Sequence, residues 1–115
     1  MKDWTAIRER YLRDDLPVRL GGLAANLSRI KSFANNENNK ALVESIIDES
    51  KHFIEWTAHE AEIETAAKLV ELQVELARLQ VRLDQVWPDI DQRRQISEKS
   101  NMWSQQVLMA SGLLD

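Results

Sequence analysis

Residues 40–87 read KALVESIIDESKHFIEWTAHEAEIETAAKLVELQVELARLQVRLDQVW and contain neither Gly nor Pro. Helix formers fill this stretch of 48 residues from end to end, so local propensity predicts a single helix. At 1.5 Å per residue that helix is a rod of about 70 Å. Trp87-Pro88 ends it, because proline has no amide to donate and its ring clashes with the preceding turn.

The apolar residues of the rod fall into two stripes. One runs through Leu42, Ile46 and Phe53, narrows to Ala58, Ala61 and Thr65, and continues through Leu72, Leu76, Leu79, Leu83 and Val86. The second faces nearly the other way and carries Ile63, Ala66, Val70, Val74, Ala77 and Val81. A charged ridge of Glu64, Glu71, Glu75, Arg78 and Arg82 separates them on one side, and Gln73, Gln80 and Asp84 line the narrower boundary. A surface helix of a globular domain needs one apolar face. With two, this one is expected to touch helices on both sides.

Working outward, Asn35-Asn36-Glu37-Asn38-Asn39 is the clearest loop, since asparagine suits both helix caps and turns. Before it, Leu16, Leu20, Leu23, Leu27, Ile30 and Ala34 recur at steps of four and three and predict a helix over residues 16–34 with one narrow seam. Gly21 and Gly22 lie inside it, where they serve either a close approach or a local bend. Residues 4–13 form a first helix with Asp3 as N-cap, and Asp14-Asp15-Leu16-Pro17 breaks and restarts the chain. After Pro88, Asp89 and Gln92 suit a capping box. The last helix then reaches about Ser111, where Gly112 supplies the stop. Its seam is Ile96, Trp103, Val107 and Ala110, and its polar start, residues 91–95, is expected to pack poorly.

The expected fold is therefore one all-α domain over residues 1–115, a helical bundle built on a long central helix (about 40–87). Shorter helices fold back at both ends, and dimerisation completes it. A compact chain of this length has a radius of gyration of ~13 Å and hence a diameter of roughly 35 Å, about half the length of the rod, so a second copy is the simplest cover for the second stripe. The interface residues so identified are Ile63, Val70, Val74, Ala77 and Val81. The alternative is a monomer whose helix breaks near residues 57–61 into an up-down bundle. Of the four tryptophans, Trp87 is expected to plug the corner before Pro88 and Trp103 to join the last seam, with Trp4 and Trp56 in the core or at an interface.

Composition narrows the function classes. The chain has no Cys, which removes disulfides, thiolate metal sites and cysteine nucleophiles and fits a cytoplasmic setting. No apolar run approaches the ~18 residues that span a bilayer, so no membrane association is expected. The net charge of −4 is uneven: residues 1–31 hold seven basic and four acidic side chains, residues 32–92 five and thirteen. An acidic middle repels phosphate backbones and argues against nucleic acid as a partner. The basic cluster of Arg8, Arg10, Arg13, Arg19, Arg29 and Lys31 reads as a solvated helix surface.

One constellation points to chemistry. His52, Glu55, His59 and Glu62 follow at steps of three, four and three, so a continuous helix puts them on one face, where they could hold zinc, manganese or iron. Against this, the two His lie on an extension of the second apolar stripe and read more readily as polar spacers, with the carboxylates as their solvated neighbours. Glu49 and His52 make a Glu-x-x-His pair, but di-iron bundles need two. The Glu-x-x-Glu pairs of helical magnesium-dependent pyrophosphohydrolases are absent, as are a Gly-rich phosphate loop and a Gly-x-Ser-x-Gly elbow. No cofactor is expected. The sequence points to a non-enzymatic helical interaction, scaffold or regulatory module acting as a homo-oligomer and open to a protein partner, with a metal-binding bundle as the alternative.

Overall fold

The computed structural model describes residues 2–114. Helix α1 spans Trp4–Leu12, α2 Leu16–Phe33, α3 Lys40–Thr57, α4 Ile63–Val86 and α5 Ile90–Ala110, with 3-10 turns at Glu37–Asn39 and Ala58–Glu60. Local chemistry accounts for most of the boundaries. Asp3 accepts a hydrogen bond from the Ala6 amide at 3.1 Å. Pro17 sits in the first turn of α2 and presets its backbone. Asp89 accepts from the amides of Asp91 and Gln92, and Gly112 turns left-handed at φ 80° to stop α5. The reciprocal half of the expected capping box does not form, because the Asp89 amide donates to Val86 O instead.

Helices α2, α3, α4 and α5 close a ring in which each packs on the next and α5 returns to α2. Hydrogen bonds show that neighbours run antiparallel. Asn26 bonds to Glu49 and Arg19 to Glu60 between α2 and the α3 end, and Lys51 bonds to Gln80 between α3 and α4. Ser97 and Ser104 of α5 donate to Lys31 O and Ala24 O of α2. Helix α1 lies outside the ring against α3. The seam predicted for α2 is buried from Leu20 to Ala34, and the first stripe of α4 (Leu72, Leu76, Leu79, Leu83) meets it in the core. A fully buried leucine such as Leu76 or Leu83 contributes roughly 1.5–3 kcal/mol.

The single central helix over 40–87 is not what forms. It is two helices, with the break at residues 58–62, close to the 57–61 of the alternative up-down bundle. The whole molecule measures 38 × 31 × 21 Å, and a 70 Å rod has no place in it. Folding α4 back on α3 lets one chain bury the leucine stripe by itself. Two further expectations concern α5. Its polar start is loosely packed as expected at Asp91, Arg94 and Gln95, which are exposed, but Arg93 among them is buried, lies over the Trp87 ring and donates to Trp87 O at 2.7 Å. Ala110, placed in the α5 seam, is exposed. At Gly21 a Cβ would meet Leu113 Cδ1 at 2.7 Å, the end of a flexible, half-exposed side chain that can move aside. Among the described residues no helix is long and apolar enough to cross a membrane.

Candidate interaction surface

Helix α4 carries both of its stripes into the structure, and they have opposite fates. Leu69, Leu72, Leu76, Leu79 and Leu83, at steps of three and four, are buried in the ring. On the outer face Ile63 is 87 % exposed, Val81 85 %, Val70 50 % and Val74 45 %, with Ala77 half-buried among them. These are the five residues singled out as an interface, and the fold brings them together on one face and leaves it uncovered. Isolated exposed aliphatics are ordinary, whereas these four β-branched residues and Ala77 share a single helix face.

The two edges of this row differ. On the α3 side, Gln73 donates to Lys51 O at 3.2 Å, Gln80 accepts from Lys51 Nζ at 2.7 Å, and Asp84 pairs with Lys40. That edge is polar, nearly neutral and occupied. On the α5 side the edge is charged and changes sign along its length. Glu62, Glu64, Glu71 and Glu75, with Lys68 among them, line a groove closed by Gln106 and Met109. Further on, Arg78, Arg82 and Lys99 surround a groove floored by Val74, Ala77 and Val81. Glu75 and Arg78, 3.1 Å apart, mark the crossover. This exposed pair contributes less than about 1 kcal/mol to stability.

The four candidate metal ligands are spread by the break in the helix. His52 and Glu55 lie on α3, His59 in the 3-10 turn and Glu62 in extended backbone at the start of α4. The register that would stack them ends at Thr57. Glu55, His59 and Glu62 are exposed. His52 is engaged elsewhere: its ring stacks on Trp4 at 3.8 Å and 12°, and Nδ1 lies 2.8 Å from Asp48 O. A carbonyl partner requires Nδ1 to carry the proton. Among the described residues no three His, Asp or Glu side chains gather into a group able to hold a metal ion.

Trp4 and Trp56 join His52, Tyr11 and Phe53 in an aromatic cluster that docks α1 on α3, with Tyr11 stacked on Phe53 at 3.9 Å. The basic cluster is split by Arg19, which is 5 % exposed and grips Glu60 through two bonds of 2.6 and 3.1 Å. That pairing raises the Arg19 pKa and lowers the Glu60 pKa, the hydrogen bond being the main cause in each. Tyr11 donates to Arg19 O at 2.7 Å, and burial pushes its phenol up to about 12. The sequence reading missed this clamp. Its signal was there: Arg19 stands three after Leu16 and four before Leu23, inside the apolar seam, where a charge needs a partner.

No family model matches the chain, and neither a curated protein nor a solved structure matches it.

Proposed function

We propose that this chain is a non-enzymatic helical interaction module that works as a homo-oligomer through the outer face of α4. The carrying observation is the exposed row Ile63, Val70, Val74, Ala77 and Val81, on a helix whose opposite stripe is already buried within the chain. Covering apolar surface of this kind releases roughly 25 cal/mol per Å², and β-branched residues at alternating three- and four-residue steps pack well between paired helices. A scaffold or regulatory role follows from such a module more directly than catalysis does.

The test is light scattering and sedimentation of the purified chain across a wide concentration range, beside the double variant Val70→Glu/Val81→Glu. Both positions are solvent-facing, so the variant keeps its helical content and melting cooperativity. The reading expects a native oligomer that dissociates on dilution and a variant that is monomeric throughout. A native chain that is monomeric at every concentration, or an oligomer indifferent to the two substitutions, overturns it.

A further inference from the structure

The charges along the edge of the α4 row carry information about orientation that the apolar residues do not. We propose that the α4 face docks on the same face of a second copy in antiparallel orientation, the acidic N-terminal half of one helix against the basic C-terminal half of the other. This rests on the self-association reading and deepens it by naming the partner's arrangement.

The argument starts from the row as a seam. Ile63, Val70 and Ala77 form one line at seven-residue spacing, and Ala67, Val74 and Val81 form the other, which is the two-line pattern of paired helices. A pair of identical copies closes most simply about a two-fold axis, with the same patch used twice. Laid antiparallel and matched end to end, Ile63 of one copy faces Val81 of the other, and the axis crosses between Val70 and Val74. In this arrangement like edges meet, so the charged edge of each α4 lies against the charged edge of the other.

The sign change then becomes complementary. Glu64 of one copy falls beside Arg78 and Arg82 of the second, and Lys68 falls beside Glu75. Symmetry repeats each contact. Lys99 of α5 lines the same basic groove and strengthens it. Only Glu71 lies near the axis and faces its own counterpart. A parallel pair behaves differently, because the charged edge of each copy then meets the opposite edge of the other. That edge is Gln73 and Gln80, which already bond to Lys51 of α3. The one acidic group on that edge, Asp84, is already paired with Lys40, so the charged edge finds no run of opposite charge there.

The experiment uses the full chain. With no native Cys, Ile63→Cys gives one nitroxide label per copy for pulsed dipolar spectroscopy. Antiparallel pairing separates the two labels by 18 residues along the axis, about 27 Å. Parallel pairing brings them to within about 10 Å. In parallel, the variants Glu64→Arg and Arg78→Glu/Arg82→Glu are each expected to self-associate at least tenfold more weakly than the native chain, and an equimolar mixture of the two to recover native-like pairing. A native dimer with the short label distance, or with no recovery in the mixture, overturns the antiparallel arrangement while leaving self-association standing. An unlabelled native chain that never leaves the monomer overturns both.

Discussion

At the C-terminal end of α4 the chain turns at Trp87-Pro88-Asp89, and at its N-terminal end it turns at residues 58–62. The first corner is written in local chemistry. Pro88 ends the helix, Asp89 caps the next one, and Trp87, 4 % exposed, fills the angle and donates from its indole to Glu37 O at 2.7 Å. The second has none of these devices. It contains no Gly or Pro, no residue has a positive φ, and Glu62 caps α4 without a side-chain hydrogen bond. Its departure from helix lies in the ψ of Ala61 and Glu62, each near 157°. What supports it is distant in sequence: the Arg19 grip on Glu60, and the burial of Thr57 against the ring. Both reversals have a distant tie, but only the first also has a proline stop and a side-chain cap in its own sequence, so they should respond differently to perturbation.

The largest effect is expected at the locally written corner. Trp87→Ala removes a buried aromatic and leaves the Glu37 carbonyl without its donor, and should cost about 3–5 kcal/mol, read from chemical denaturation. A cost below about 1 kcal/mol would mean that Pro88 and Asp89 hold the corner unaided.

At the other corner the two partners of the clamp should behave unequally. Glu60→Gln leaves the Arg19 guanidinium buried without a counter-charge, whereas Arg19→Met frees a carboxylate that can reach water. The melting temperature is therefore expected to fall further for Glu60→Gln. If neither substitution lowered it, the ion pair would not support the corner. The Glu60 pKa is lowered in the fold, so its contribution is full above the ordinary carboxylate range and is lost as pH falls through the folded value. Glu60→Gln should flatten the acid limb of the stability profile.

Tyr11 lies beside the clamp and gives an alkaline test. Its folded pKa is raised from 10.0 to about 12, so the fold favours the protonated phenol. That contribution is complete below pH 10 and is lost as pH rises towards 12, to the extent of about 2 kcal/mol. Tyr11→Phe should abolish this part of the alkaline decline. A profile unchanged by the substitution would place the decline elsewhere.

The smallest effect sharpens the comparison most. Glu62 has φ −64°, Ala61 before it is extended, and among the described residues the Glu62 amide donates to no acceptor. Glu62→Pro therefore fits the corner as it stands and is expected to stabilise the chain by about 0.4–1 kcal/mol. Ala67→Pro, one turn into α4, should cost ~3 kcal/mol or more. If Glu62→Pro proved as damaging as Ala67→Pro, the helix would run through this corner.

These contrasts explain what could be read in advance. The α2 seam, the asparagine loop, the Trp87-Pro88 corner and the Gly112 stop each depend on residues within a few positions of one another, and all were legible. So was the outward row of α4, because its spacing is local even though its exposure is not. The burial of Arg93 was not legible, since it reads as a solvated charge until Trp87 O is placed beneath it. The His52, Glu55, His59 and Glu62 alignment failed as a group because it borrowed its geometry from a helix that stops at Thr57.

By itself, the sequence determined that the chain is helical, where most of its helices begin and end, and that α4 has two apolar faces. Propensity, capping and periodicity act over three or four residues, and they suffice for that. Only the tertiary structure decided that the 48-residue run bends, which of the α4 faces is buried, and that His52 stacks on Trp4 apart from any ligand set. Those outcomes turn on long-range contacts: Arg19 with Glu60, the leucine stripe with α2, and α1 with α3. No window along the chain contains both members of such a pair.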